Sequence, residues 1–83
     1  MTYEVLWQDH AVNVAARFLK DDPEGLRQSF QAIDLLTENP RPAGSAAYGS
    51  RDLRRVHVGA YRAVYEIDDL AALVVIIHVG RVG

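Results

Sequence analysis

Two alternating runs of residues, Leu53–Val58 and Tyr61–Ile67, are separated only by Gly59-Ala60. A two-residue connection containing glycine, set between runs of period two, predicts an antiparallel β-hairpin. A hairpin buries little by itself, so the fold depends on what flanks it. Downstream, Asp68-Asp69 begins another turn and Leu73–Val79 is rich in β-branched residues, which predicts a third strand. Upstream, Thr2–Trp7 alternates, with Tyr3, Val5 and Trp7 on one face and Glu4 and Leu6 on the other. That is a further short strand.

Between the first strand and the hairpin the period changes to that of a helix. Asp9 can cap a first helix, and Ala11, Val12, Ala15, Ala16, Phe18 and Leu19 give it a broad apolar face to about Lys20. Asp21-Asp22-Pro23-Glu24 restarts the chain as a second helix. Asp22 suits the N-cap, Pro23 the first helical position and Glu24 the positive end of the dipole. Leu26, Phe30, Ile33 and Leu36 then recur as a core-facing stripe until Asn39-Pro40 stops it. Two helices with so tight a break make an αα-hairpin. Residues Arg41 to Ser50 have no period and read as a small-residue loop. The predicted order is β-α-α-β-β-β, an α+β arrangement with helices segregated from an antiparallel run.

The chain has 83 residues, which predicts a single domain over 1–83, and 49% of it is apolar, too much for a disordered polymer. It has no cysteine, which excludes disulfides, thiolate metal sites and a cysteine nucleophile. No metal or cofactor site is predicted. The longest apolar stretch, Leu70–Ile77, is far short of the ~20 residues a membrane span needs, and MTYEVLWQDH is no signal peptide. The expectation is a soluble cytoplasmic protein with no membrane partner. Net charge is −2, but it is unevenly spread. Residues 1–40 carry −4, residues 41–65 carry +4 and residues 66–83 carry −2. All five cations of the middle segment are arginines: Arg41, Arg51, Arg54, Arg55 and Arg62. Arginine forks onto phosphate and carboxylate better than lysine. A solvated strand face would carry the same charge; an anionic partner, either RNA or an acidic protein segment, would use it.

The hairpin LRRVHVGAYRAVYEI (Leu53–Ile67) resembles the pattern LRRLRVGDYRVIYEI of the RelE/ParE superfamily, the toxins of bacterial type II toxin–antitoxin pairs. Val75–Arg81, VIIHVGR, resembles that family's VVVLHVGHR, and Leu35–Pro40 followed by a glycine-containing loop matches its layout. The resemblance implies a RelE-like fold: a small antiparallel sheet with the αα-hairpin packed on one face. It also implies a cognate antitoxin that neutralises the chain. An exposed apolar groove beside a basic cleft suits an acidic amphipathic segment. For the target, the resemblance implies a ribosome-dependent mRNA endoribonuclease; the alternatives are a ParE-like DNA gyrase inhibitor and a catalytically weak relative that only binds its antitoxin.

RNA cleavage without a metal needs a base for the 2′-hydroxyl, an acid for the leaving 5′-oxygen and positive charge at the phosphate. By resemblance, Arg62 matches the arginine of the family's YR motif, which contacts the scissile phosphate. Arg55 matches a basic residue that assists catalysis. His57 stands where many relatives have arginine, and a histidine there can act as acid or base. Strand parity puts Arg55 and His57 on one face and Arg54 on the other. Arg81 falls one place before a charge-stabilising arginine of the family. The family's C-terminal tyrosine has no counterpart after it, which is expected to slow cleavage by about 10²–10⁴. Arg51, Arg54 and Tyr48 are candidates for holding RNA, Tyr48 by base stacking. Tyr61 and Tyr65 read as sheet-packing residues, His78 as a core residue of the most apolar strand, and His10 as a structural or exposed residue at a helix start.

Overall fold

The computed structural model describes residues 2–50 and 52–82. Strand β1 (Glu4–Trp7) leads into helices α1 (Asp9–Asp21) and α2 (Pro23–Asp34), and one 3₁₀ turn (Leu35–Thr37) follows. Strands β2 (Ser45–Ala47), β3 (Leu53–Val58), β4 (Tyr61–Asp68) and β5 (Leu73–Arg81) complete the chain. The five strands lie in the order β1-β5-β4-β3-β2. All neighbours are antiparallel except β1, which runs parallel to β5 from Glu4 beside Leu73 to Trp7 beside Ile76.

The α+β fold with a helical hairpin therefore agrees with the sequence, and two details do not. The sheet is mixed, because β1 enters it parallel. The stretch read as loop also contributes β2. Its residues Ser45, Ala46 and Ala47 carry no apolar period to read; they are strand because β3 holds them. Arg54 fastens that edge, donating from Nε to Ser45 Oγ at 3.0 Å and from its guanidinium to the Ser45 carbonyl at 3.3 Å.

The break between the helices is built around Asp22. One carboxylate oxygen accepts from the Gly25 backbone N–H at 3.1 Å, and the other accepts from the Tyr61 hydroxyl at 2.9 Å. The N-cap thus also ties the hairpin to β4. These two donors, Gly25 first, hold the Asp22 carboxyl below the usual aspartate range; burial and then Asp22 push the Tyr61 phenol up. Gly25 is required for space: a Cβ there would overlap the Asp22 carboxylate and come within 2.8 Å of the Tyr61 ring. At the start of α1 the N-cap is Gln8, with no side-chain cap bond, and Asp9 lies in the first turn instead. Its charge still faces the positive end of the helix dipole.

Helix α2 buries Leu26 and Ile33, with Leu36 following in the 3₁₀ turn, and Phe30 meets Trp7 edge-on at 5.7 Å. They cover the face of the sheet that presents Val56, Tyr61, Ala63, Tyr65, Ile67, Val74, Ile76 and Val79. The buried Tyr65 hydroxyl donates to the Pro40 carbonyl at 2.7 Å, pinning the chain beyond α2 to the sheet. Helix α1 buries only Ala11 and Ala15. Val12 and Leu19 stay exposed and, with Ala16, Trp7 and Phe30, line an apolar groove.

One irregularity sets what the opposite face carries. Tyr65 pairs with Ile76 but Val64 pairs with His78, so Ile77 is an extra residue, a β-bulge in β5. Before it, even-numbered Val74 and Ile76 point to the helices; after it, Val79 does, while His78 is exposed. The bulge reverses the alternation for the last third of the strand.

Candidate functional site

The uncovered face of the sheet gathers the candidate residues. Arg55 and His57 alternate on β3 with the inward Val56, and His57 lies directly opposite Arg62 of β4. Arg62 in turn lies opposite Gly80 of β5. This row spans two interstrand spacings, so about 10 Å separates the backbone at His57 from that at Gly80. His57 and Arg62 are both exposed. Next to the row, Arg55 places its guanidinium over the Tyr48 ring, 5.5 Å from the centroid, a cation–π contact that brings the loop residue onto the same face.

His78 corrects the sequence reading. It is exposed on the open face, not buried, because the Ile77 bulge turns it outward. A Cβ placed on Gly80 would lie 3.3 Å from His78 Nε2 and 3.9 Å from Arg62 Nε. The imidazole and the guanidinium therefore flank the same bare stretch of backbone. His10, at the start of α1, lies parallel to His78, with ring centroids 5.8 Å apart and planes at 13°. The signal that could have found this pair was weak: two histidines far apart in sequence, one hidden by an apparent core alternation.

The bulge also moves Arg81. Opposite Tyr61 in the register, Arg81 lies over that ring at 5.8 Å, beside the Asp22 carboxylate, and on the other side of the sheet from Arg62. Arg54 likewise turns to the helix side, where it anchors β2. Arg51 lies outside the described residues. Arg41 is committed to structure: it bridges Asp52 at 3.0 Å and Asp69 at 3.1 Å, and these carboxylates, Asp69 first, raise its already high pKa. Tyr3 donates to Asp69 at 2.6 Å, which pushes its own phenol up. Tyr61 and Tyr65 are buried packing residues, as their parity predicts.

The open face thus combines a forked cation, two imidazoles on either side of it and a stacked arginine–tyrosine pair. Such a set has the donor chemistry to hold an anion. Among the described residues no three histidine or carboxylate side chains come together as a metal site, and no helix is long and apolar enough to cross a membrane.

Comparison with known proteins follows the same line. The family model of the ParE toxin of type II toxin–antitoxin systems (parDE) matches residues 6–82. A search of curated sequences gives no match. Among solved structures, the chain is similar to the archaeal RelE–RelB complex of Pyrococcus horikoshii OT3. The TM-score is 0.79 at 24% identity, covering 100% of this chain and 98% of the other. It is also similar to a double mutant of the Escherichia coli toxin RelE in the free state, with TM-score 0.82 at 22% identity over 98% of this chain and 84% of that one. The toxin–antitoxin complex RelBE2 of Mycobacterium tuberculosis gives TM-score 0.80 at 23% identity over 98% and 99%. At these identities the likeness speaks for the fold, a RelE-type sheet and helical hairpin. The family match covers nearly the whole chain, and on it the chain belongs to the ParE toxin family of type II toxin–antitoxin systems, within the RelE/ParE superfamily.

Proposed function

We propose that the chain is a RelE-like toxin that cleaves mRNA on the ribosome in the cytoplasm and is held inactive by a cognate antitoxin. The observation that carries this reading is the row His57–Arg62–Gly80 with His78 beside it. A phosphodiester seated on Arg62 has an imidazole on either hand. One takes the proton of the 2′-hydroxyl as its oxygen bonds to phosphorus. The other protonates the 5′-oxygen as its bond to phosphorus breaks. Arg62 stabilises the charge on the non-bridging oxygens. Arg55 and Tyr48 offer a stacking platform for a neighbouring base. Arg81 faces the helices and serves outside this centre. The open, shallow face favours a substrate presented by a larger body, which the ribosome supplies.

The test is cleavage of mRNA by purified toxin with and without programmed ribosomes. Cuts that need ribosomes, and that fall about 10²–10³-fold in Arg62→Ala, support the reading. Equal cleavage by wild type and Arg62→Ala sinks it.

A second reading is inhibition of DNA gyrase, favoured by the description of the matching family as ParE of parDE. Loss of supercoiling activity on adding the toxin, without RNA cleavage, selects it. Antitoxin binding is common to both. The related toxins from Pyrococcus horikoshii and Mycobacterium tuberculosis are in complexes with their antitoxins. Here the groove of Trp7, Val12, Ala16, Leu19 and Phe30 suits the apolar face of an amphipathic helix. Leu19→Glu is expected to weaken co-purification with the antitoxin and leave any toxicity intact.

A further inference from the structure

One exposed group beside the open face has no role in the proposed chemistry: His10. Its ring lies parallel to that of His78 at 5.8 Å, in the range of offset aromatic stacking. His10 belongs to α1 and His78 to β5, so the contact joins two elements by side chains alone. Strand β1 pairs with β5 only as far as Ile76, so His78 has a strand neighbour on one side only. Its cross-strand partner is Val64, and two residues further along lies Gly80, which has no side chain. An imidazole exposed on an open sheet face has free rotation about two bonds unless something fixes it.

We propose that His10 is a positioning residue for His78: the stack holds the His78 ring over the bare backbone of Gly80, with Nε2 turned toward Arg62. This rests on the endoribonuclease reading. Three observations converge on it. The Ile77 bulge brings His78 out of the core. A Cβ on Gly80 would lie 3.3 Å from His78 Nε2 and 3.9 Å from Arg62 Nε, so both groups border the same bare spot. His10 meets the other side of the ring. The helix start is thereby part of the site without touching the phosphate, and Gly80 is the complementary half of the device, since a Cβ there would press the ring aside by a few tenths of an ångström.

The experiment compares wild type with His10→Ala, His10→Phe and Gly80→Ala in ribosome-dependent mRNA cleavage, with His78 ring resonances followed by NMR. Misplacement of a reacting group by about 1 Å can cost on the order of 10²-fold in rate. Accordingly, kcat is expected to fall about 10- to 100-fold in His10→Ala, with KM and thermal unfolding near wild type. His10→Phe, which keeps a flat ring but no proton to move, is expected to restore most of the rate. Gly80→Ala is expected to lower kcat with His10 still present. In His10→Ala the His78 ring signals lose their ring-current shift; in His10→Phe they keep one. Wild-type kcat in His10→Ala overturns the inference, and so do unmoved His78 signals. A Phe variant as slow as the Ala variant overturns it too. Absence of cleavage by wild type overturns the endoribonuclease reading itself, a separate outcome.

Discussion

Individual side chains in this molecule divide sharply between those whose place follows from parity and those moved by a neighbour. Arg55, His57 and Arg54 fall on the faces that simple alternation assigns, because β3 and β4 pair without interruption. His78 and Arg81 do not, because one unpaired residue lies between them and the regular part of β5. No propensity of Ile77 announces a bulge, so the exchange of sides was not legible. Tyr65→Phe leaves the Pro40 carbonyl without its donor, and chemical denaturation is expected to show a loss of about 1–3 kcal/mol. Gly25→Ala has no room beside Asp22 and the Tyr61 ring, and is expected to cost a similar amount through forced displacement. A Gly25→Ala protein with unchanged stability would mean that the interhelix corner is looser than described.

At the scale of elements, the corner of the αα-hairpin was the most readable part of the chain. Asp22, Pro23 and Glu24 each do there what capping chemistry predicts. What the sequence did not disclose was the partner of the cap, since Tyr61 arrives from 39 residues away. The folded-state pKa of Asp22 is lowered, so its contribution to stability is complete above the ordinary aspartate range. It is lost as pH falls through the lowered value. Asp22→Asn is therefore expected to reduce the acid sensitivity of unfolding below that range, measured as the melting temperature against pH. The β4–β5 turn offers a converse case. Ala72 has φ of 52°, in the left-handed region, which costs an L-residue about 1–2 kcal/mol. Ala72→Gly gives back about 0.4–1 kcal/mol in chain entropy and is expected to raise the melting temperature by a few degrees. Strand β2 was illegible for a different reason: alanine and serine say nothing about period, and their state is decided by β3 and Arg54.

Over the molecule as a whole, one side of the sheet is spent on folding and the other is left for work. The helix side takes the large apolar side chains and two buried tyrosines. A chain of this size has few such residues to lose. Leu26→Ala, at a fully buried position against Ala15 and Tyr61, is expected to cost about 2–5 kcal/mol, a large part of the stability of a small domain. Calorimetry would show it as a much lower melting temperature. The basic segment seen in the sequence resolves into separate duties: Arg41 and Arg54 brace loops and an edge strand, and Arg55 and Arg62 face outward. Counting charges along the chain could locate the sheet that carries the site, but only the three-dimensional pairing tells which cations are already occupied. The parallel entry of β1 was hidden likewise, since no local signal says which neighbour a first strand will choose.

The extra residue in β5 has a consequence for how such a site changes over generations. Point substitutions can alter the groups on the open face but cannot exchange the strand's two rows. Loss of the single codon at Ile77 cannot either: Ile76 would still lie opposite Tyr65 and His78 opposite Val64, so His78 stays outward and Arg81 stays on the helix side. The bulge is thus a place where β5 can shorten by one residue with its two rows intact.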